Sequence, residues 1–328
     1  MSTSDNYTVV LDENDKFYMD HLANCISSIP SEDEIIFCQE SKIASLQLPE
    51  RLRDAINNFV THGSETGYLL IKYNLSINGL PDTPPNNNLF IGEKTCLAKI
   101  QSMIINYKSD IIAYEAEGHG RLFQDVVPVK NMETQQTSVS SKTVLELHTE
   151  QAFSNLKPDF LCLACLRGNP EAYTYVLPVN RILNVLSNEE IELLFEPLWM
   201  IGVDLSFKLT GVEFVDGDLR GPISILNGSR EDPFLVFDQD LMTGINERAN
   251  SILKKIVDIY YSHRIGHNLQ PGEIILIDNR RATHGRSSFS PMYNGKDRFL
   301  IRCFGTLSLS NSDNFRMPKK RTIMAKFS

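Results

Sequence analysis

The sequence predicts an α+β protein whose core is a β-barrel or jelly roll with helices packed outside it. Two observations predict this class. Helical periodicity marks much of the first 110 residues, and from about residue 111 short β-like segments follow one another, separated by Gly, Pro and Asn/Asp turns. Many short strands in one chain favour a sandwich or barrel. The 328 residues are therefore predicted to form a single domain, with a helical or mixed part over 1–110 packed on a jelly-roll core over 111–310.

Helices are predicted in the first part wherever apolar residues recur at helical spacing. Residues 12–29 and 92–106 carry such a stripe, and residues 49–62 follow it after Pro49, a residue suited to the first turn of a helix. The apolar run Tyr68–Tyr73 instead predicts a strand.

Eight segments of the second part predict strands. They are IIAYEAE (111–117), TVLELH (143–148), DFLCLACL (159–166), AYTYVLPV (172–179), VDLSFKL (203–209), FLVF (234–237), EIILID (273–278) and RFLIRCFGTL (298–307). Two helices interrupt them, at 187–196 and 244–262. The first begins with Ser187 and Glu190 at the spacing of a capping box.

Composition excludes several functional classes. The net charge is −9 and the pI about 5.3, so an acidic surface would repel nucleic acid, which is not expected as a partner. The N-terminus lacks the basic start and apolar core of a secretory signal, and no apolar stretch is long enough to cross a membrane. The six cysteines are sparse, which indicates a reducing cytoplasm. Homo-oligomerisation stays open.

The first chemical motif is the His-Thr-Glu sequence at the end of a predicted strand. On a strand, residues two apart point to the same face, so His148 and Glu150 could reach one metal ion together. An imidazole and a carboxylate suit iron(II), and a third ligand would complete one face of an octahedron. Because so short a pair is common by chance, the motif needs support from elsewhere in the chain.

That support comes from a distal segment with one histidine and two arginines. His284 is expected in a loop just beyond the strand EIILID, where scaffolds commonly hold site residues. Arg298 follows fourteen residues later, and Arg302 lies four further on, on the same face of a strand. Two inward arginines would be costly without anionic partners, such as a dicarboxylate and an amino-acid carboxylate.

Together, the segments HTE, IDNRRATHGR and GKDRFLIR resemble the clavaminate synthase-like iron(II)/2-oxoglutarate-dependent oxygenases, which include hydroxylases of free amino acids. The resemblance covers residues 122–307. It implies a distorted double-stranded β-helix, or jelly roll, with iron(II) held by His148, Glu150 and His284 at one mouth. It also implies 2-oxoglutarate and O₂ as cosubstrates.

The resemblance further implies roles for individual side chains. Arg298 would bind the distal carboxylate of 2-oxoglutarate, assisted by Thr174. Arg302 would take the α-carboxylate of the substrate. Gln124 would touch its amino-acid head, and Glu150 would contact the α-amine as well as the metal.

An acidic pair in FLVFDQDLMTG bears on the substrate. In relatives that hydroxylate arginine, a similar pair grips the cationic side chain, so Asp238 and Asp240 favour a basic amino acid. The alternative is a strand-end turn with solvated acids. The helical front end and motif spacing most resemble bacterial free L-lysine hydroxylases, so the expected substrate is L-lysine, oxidised at C3 or C4.

Other substrates and another class of protein stay open at this point. L-Arginine or another amino acid of the same family is the second expectation, and a carrier-bound amino acid is a further one. A catalytically inactive jelly-roll binding protein is the rival from a different class. Loss of one metal ligand would be its usual mark, but all three are present.

A polar segment precedes the His-Thr-Glu motif directly. Residues 127–142 are rich in Ser, Thr and Gln, and long irregular segments in compact domains often form lids. We therefore expect a mobile active-site lid here, with plain surface disorder as the alternative.

Overall fold

The computed structural model describes residues 7–204, 207 and 219–324 of the chain. This part is a mixed α/β structure. Its α-helices are α1 (Glu13–Cys25), α2 (Glu34–Ser45), α3 (Glu50–His62), α4 (Cys96–Lys108), α5 (Val179–Leu183), α6 (Asn188–Leu194) and α7 (Glu247–His263).

The strands alternate with these helices along the chain. They are β1 (Thr8–Val10), β2 (Tyr68–Lys72), β3 (Asp110–Tyr114), β4 (Gln124–Val126), β5 (Leu145–His148), β6 (Phe160–Arg167), β7 (Thr174–Pro178), β8 (Trp199–Gly202), β9 (Leu219–Ile223), β10 (Leu226–Gly228), β11 (Pro233–Leu235), β12 (Met242–Gly244), β13 (Ile265–His267), β14 (Glu273–Asp278), β15 (Ala282–Arg286), β16 (Phe299–Thr306) and β17 (Thr322–Ile323).

The major sheet has eight strands, in the order β1-β2-β14-β6-β16-β3-β17, with β4 paired to β16. The β1–β2 and β3–β17 pairs are parallel and the others are antiparallel. The sheet therefore includes strands from before residue 111 and after residue 310, outside the core boundaries that the sequence suggested.

Both faces of the major sheet are buried. Along β14, Ile274 and Leu276 pack with helices α1–α4, whereas Ile275 and Ile277 pack into the interior cluster on the opposite face. This alternation follows from the two-residue period of a strand. It explains why all four central residues of the strand, 274–277, are apolar rather than every second one.

The minor sheet forms the other side of the interior cluster. Its order is β13-β7-β15-β5, with all pairs antiparallel. Val176 and Leu177 from β7 share the interior cluster with Ile256 of α7 and with the inner face of the major sheet. The chain crosses from the major to the minor sheet between β14 and β15, over residues 279–281.

Most predicted elements are present, with local differences. The capping box of Ser187 and Glu190 begins α6 as predicted. Pro49 is the N-cap of α3 rather than a residue of its first turn. The prediction that His284 lies in a loop is wrong, because the chain re-enters a strand at Ala282.

One helix was missed, and one predicted strand lies partly outside the described residues. Helix α2 was not predicted, because Ile35, Ile36 and Ile43 are exposed and blur its apolar stripe. Residues 205–206 and 208–209 of the segment VDLSFKL lie outside the described residues. In the part of the chain that the structure describes, no helix is long and apolar enough to span a lipid bilayer.

Candidate active site

Three predicted ligands, His148, Glu150 and His284, come together between β5 and β15. The two strands pair with His284 directly opposite His148, and the centroids of the two imidazole rings are 4.3 Å apart. His284 Nε2 lies 3.3 Å from Glu150 Oε2. One possible ligand atom from each residue lies within 4.8 Å of the others, a spacing at which all three could bind one ion.

Backbone contacts fix the orientation of two of these ligands. His148 Nδ1 lies 2.7 Å from the carbonyl oxygen of Glu146, which leaves Nε2 free to face the site. Glu150 follows the end of β5, and Asn279 holds its backbone from both sides. The Asn279 side chain accepts from the Glu150 amide at 2.7 Å and donates to its carbonyl at 3.1 Å. The turn between β14 and β15 therefore positions the carboxylate.

The residues fit a metal ion on two grounds. Glu150 Oε2 is buried and has no hydrogen-bond partner among the described residues. Buried polar atoms without a partner are rare and call for an explanation such as an ion. Two imidazoles and one carboxylate with open positions are the donor set of non-haem iron(II) sites.

The protonation states also suit metal binding. Although burial opposes its ionisation, Arg302 and the two imidazoles lower the pKa of Glu150 to about 2. Burial and the neighbouring His148 lower the pKa of His284 to about 4. At neutral pH the carboxylate is therefore charged and the His284 imidazole neutral, the forms that coordinate a cation.

A single cavity, here called the site cavity, contains the three ligands and most of the other predicted residues. It encloses about 1030 Å³, including its open mouth. Its lining includes His148, Glu150, His284, Thr174, Arg298, Arg302, Asp238 and Asp240. Gln124 is the exception, because it lines a neighbouring cavity, although it contacts Arg302.

Arg298 enters the site cavity just before β16. It has the same strand parity as Leu300 and Arg302, which places all three on the inner face of the major sheet. Only 5% of its surface is exposed, and burial lowers its pKa to about 10. No carboxylate among the described residues pairs with it, so its charge is available to an anion.

Arg302 is held by an ion-pair network that also contains Glu117. Its guanidinium donates to Glu150 Oε1 at 3.1 Å, to Gln124 Oε1 at 2.9 Å from Nε, and to Glu117. Gln151 donates to the other oxygen of Glu117 at 2.9 Å. Burial opposes the charge of Arg302, but Glu117 and Glu150 raise its pKa. Burial and Glu150 raise the pKa of Glu117.

Asp238 lies on the opposite side of His148 from His284. Asp238 and His148 form an isolated antiparallel bridge, so Asp238 lies beside β5 on the side away from β15. Its Oδ1 accepts from the amides of Asp240 and Leu241, which makes the turn that the alternative interpretation expected. The same side chain nevertheless lines the site cavity, as does the more exposed Asp240. Burial raises the pKa of Asp238 to about 7.

Several residues of the site cavity or its support were not predicted. Glu117 ends a predicted strand, Asn279 was interpreted only as a turn residue, and Arg286 and Asp204 also line the cavity. The HxE spacing gives no signal for any of them. Arg286 could have been noticed, because it lies two residues from His284 on the same strand face.

Two further groups of residues of metal-binding type do not form a site in the described part of the chain. Cys162 and Cys165 pack into the clusters on opposite faces of the major sheet. His267 is 2.7 Å from Glu273 and His263 lies near the carbonyl of Ile259, so neither histidine joins the site cavity.

The known proteins that this chain matches include dioxygenases, hydroxylases and oxygenases. The model of the family described as "Taurine catabolism dioxygenase TauD, TfdA family" matches residues 225–304. The chain is 45% identical to an L-lysine 3-hydroxylase of Catenulispora acidiphila, over 89% of this chain and 82% of that enzyme. It is 31% identical to clavaminate synthase 2 of Streptomyces clavuligerus, over 86% of this chain and 87% of the other.

A solved structure shares the fold over nearly the whole chain. It is an asparagine oxygenase in complex with Fe(II), 3-hydroxyasparagine and succinate, with a TM-score of 0.89 and 30% sequence identity. The alignment covers 97% of this chain and 99% of that one.

Proposed function

Because the chain belongs to the clavaminate synthase-like iron(II)/2-oxoglutarate-dependent oxygenases, we propose that it hydroxylates a free basic amino acid, with L-lysine as the substrate. The observation that carries the choice of substrate is the position of Asp238. This carboxylate lines the same cavity as the three ligands and lies beside His148 in register. The lysine 3-hydroxylase at 45% identity supports the same choice.

His148, Glu150 and His284 would hold iron(II). Bound iron(II) would activate O₂, which oxidises 2-oxoglutarate to succinate and CO₂ and converts a substrate C–H bond into C–OH. The protein's own contribution is to bind the two organic molecules, to hold them in position and to keep water out.

Arg298 would bind the distal carboxylate of 2-oxoglutarate. It is buried, it points into the site cavity, and it has no anionic partner among the described residues. A guanidinium binds a carboxylate through two parallel hydrogen bonds, which also selects the length of the diacid. Thr174 lines the same cavity on β7 and can add a hydroxyl contact.

The amino-acid head of the substrate would bind at the Arg302 network. A free amino acid presents a carboxylate and an ammonium on one carbon, and Arg302 and Glu117 present the matching charges side by side. Glu150 lies at hydrogen-bond distance from Arg302, so it can contact the α-amine as well as the metal. Gln124 accepts a hydrogen bond from Arg302, and its buried Nε2, which has no partner among the described residues, would touch the amino-acid head.

Asp238 and Asp240 would bind the side-chain ammonium. A lysine ammonium that leaves water loses hydration worth several kcal/mol, and only nearby carboxylates offset that loss. Arg302 at one end and the acids at the other would hold the substrate at a fixed distance from the ligand set. The carbon presented there would be C3 or C4.

L-Arginine is the second candidate, because the same acidic pair suits a guanidinium. An inactive binding protein is disfavoured by the intact set of three ligands.

We also propose the wider assignments that accompany this activity. The two facing sheets would be the distorted double-stranded β-helix, and residues 1–328 would act as one catalytic domain, since α1–α4 pack directly on the major sheet. Residues 127–142 would form a lid, because Gln136, Thr137 and Ser138 line the site cavity. The sparse cysteines support a cytoplasmic location.

A screen of free amino acids tests the proposal. The purified protein is incubated with iron(II), 2-oxoglutarate and O₂, and products are detected by a mass gain of one oxygen atom. L-Lysine should react in preference to L-arginine, L-ornithine and L-asparagine, and Nε-acetyl-L-lysine, which lacks the side-chain charge, should react poorly. NMR of the product then distinguishes C3 from C4. Failure of every amino acid to gain oxygen would refute the proposal.

A further inference from the structure

Arg286 connects the site cavity to the polar segment before the His-Thr-Glu motif. Its guanidinium donates to the carbonyl oxygens of Ser138 at 3.2 Å, Ser140 at 2.8 Å and Thr143 at 3.1 Å, and to the Ser140 hydroxyl at 3.0 Å. Only 4% of the Arg286 surface is exposed. A planar guanidinium with five N–H donors can bind several backbone carbonyls at once, so this one side chain fastens residues 138–143.

The same guanidinium lies near Arg298. Both cations lie beside the ring of Phe289, with their central carbons 5.1 and 5.9 Å from the ring centroid. The amide of Phe289 in turn donates to the carbonyl of Ser141 at 2.8 Å. Neither arginine pairs with a carboxylate within the described parts of the chain. Two buried positive charges therefore share one end of the site cavity. One of them, Arg286, also binds residues 138–143.

We propose that Arg286 is a positioning residue that couples the order of the cavity wall 136–143 to the binding of a dicarboxylate at Arg298. The inference rests on the proposed function, because it requires 2-oxoglutarate as that dicarboxylate. Residues 136–143, the wall segment, include Gln136, Thr137 and Ser138, which line the site cavity.

The coupling follows from the charges. Without an anion, the repulsion between the two guanidinium groups weakens the hold of Arg286 on the wall. A dianion at Arg298 removes that repulsion and adds attraction, so the hydrogen bonds to 138–143 become stronger. Coupling is reciprocal, so an ordered wall and a charged Arg286 must also favour binding of the dianion.

Hydrogen–deuterium exchange of the wall segment tests this coupling without relying on turnover. The iron(II)-loaded protein is studied anaerobically, with and without 2-oxoglutarate, and peptides covering 136–143 are compared. In the wild type, 2-oxoglutarate should slow exchange there. Arg286→Gln should abolish the difference and weaken 2-oxoglutarate binding about tenfold, within the usual range of coupling between two sites. Arg286→Lys keeps the positive charge but loses the planar guanidinium with its several donors. It should therefore retain most of the affinity for 2-oxoglutarate and little of the protection of 136–143 from exchange.

A matched control removes a different contact of the same segment. Lys142→Gln breaks the exposed ion pair between Lys142 and Glu133 and leaves Arg286 intact. It should keep both the affinity for 2-oxoglutarate and the protection of the wall.

Calorimetric titration separates failure of this inference from failure of the proposed function. If 2-oxoglutarate does not bind the wild type, both are overturned. If it binds and exchange over 136–143 stays unchanged, only the coupling is overturned, and this result needs no variant to fold. Equal protection in the wild type and Arg286→Gln would overturn the coupling as well.

Discussion

Arg302 donates a hydrogen bond from Nη1 to Oε1 of Glu150 over 3.1 Å, while the other oxygen of Glu150 faces Nε2 of His284. One carboxylate is therefore shared between the ligand set and the cation proposed to bind the substrate. A substrate carboxylate that binds Arg302 must compete with or rearrange this ion pair. The proposed substrate site and the ligand set are thus physically connected.

Replacement of either ligand histidine should remove iron binding. We expect His148→Ala and His284→Ala to lose bound iron and product formation, while the free energy of unfolding of the apoprotein changes by no more than about 1–3 kcal/mol. Metal analysis, product assays and denaturant unfolding measure the three quantities. His263→Ala is the control, because His263 lies at the end of α7 outside the site cavity. Near-normal hydroxylation by either ligand variant would refute the ligand assignment.

Arg298→Ala should chiefly weaken the binding of 2-oxoglutarate. Loss of a buried charge-assisted pair is expected to cost a few kcal/mol, or roughly a hundredfold in apparent affinity. The KM for 2-oxoglutarate should rise by that factor, and the KM for lysine should change far less. Arg264→Ala serves as the control, since Arg264 stacks on Tyr175 away from the cavity. An unchanged 2-oxoglutarate requirement would exclude Arg298 from the cosubstrate site.

The double change Asp238→Asn and Asp240→Asn should separate substrate recognition from cosubstrate chemistry. The change keeps size and hydrogen bonding but removes the negative charge. Lysine hydroxylation should therefore fall sharply, whereas succinate formation without lysine oxidation should persist. Both products are quantified in the same reaction, with Asp258→Asn on α7 as the control. Hydroxylation at wild-type efficiency would mean that the two acids form only a turn.

The pH dependence of lysine use should report the ionisation of Asp238. Because burial raises the pKa of this carboxyl to about 7, it is largely protonated below pH 7 and charged above it. The lysine ammonium stays charged throughout, since its ordinary pKa is about 10.4. We therefore expect kcat/KM for lysine to rise between about pH 6 and 8. Asp238→Asn should flatten this rise, and an unaltered profile in that variant would assign the titration to another group.

The segment 127–142 should become more resistant to protease when substrates bind. Its internal contacts, such as Val129 to Val139 and Glu133 to Ser141, are supplemented by a few from outside, made by Arg286, Phe289, Tyr293, Val144 and Glu146. Few external contacts allow local opening, and occupation of the site cavity should oppose it. Limited proteolysis with and without lysine and 2-oxoglutarate, under anaerobic conditions, measures the effect. Equal cleavage rates would argue against a lid.

Much of the ligand set follows from strand parity and could be predicted from the sequence. His148 and Glu150 are two residues apart near a strand end, and Arg298 and Arg302 share the inward parity of Leu300. Within a strand, the local period fixes such relationships, whereas Glu150, just beyond the end of β5, also depends on Asn279. The offset of fourteen positions from His284 to Arg298 contributed to the resemblance to a family, which periodicity alone could not supply.

By itself, then, the sequence determined the longest strands, β6, β14 and β16, and the types of residue that could bind a metal and a carboxylate. Only the tertiary structure decided which distant residues meet them. Glu117 pairs with Arg302 across 185 positions, Asn279 holds Glu150 across 129, and Arg286 binds the segment before β5. These contacts depend on the crossing from β14 to β15 and on the order of strands in two sheets. Such long-range pairings leave no periodic trace in the chain, because each is set by sheet topology rather than by local conformation.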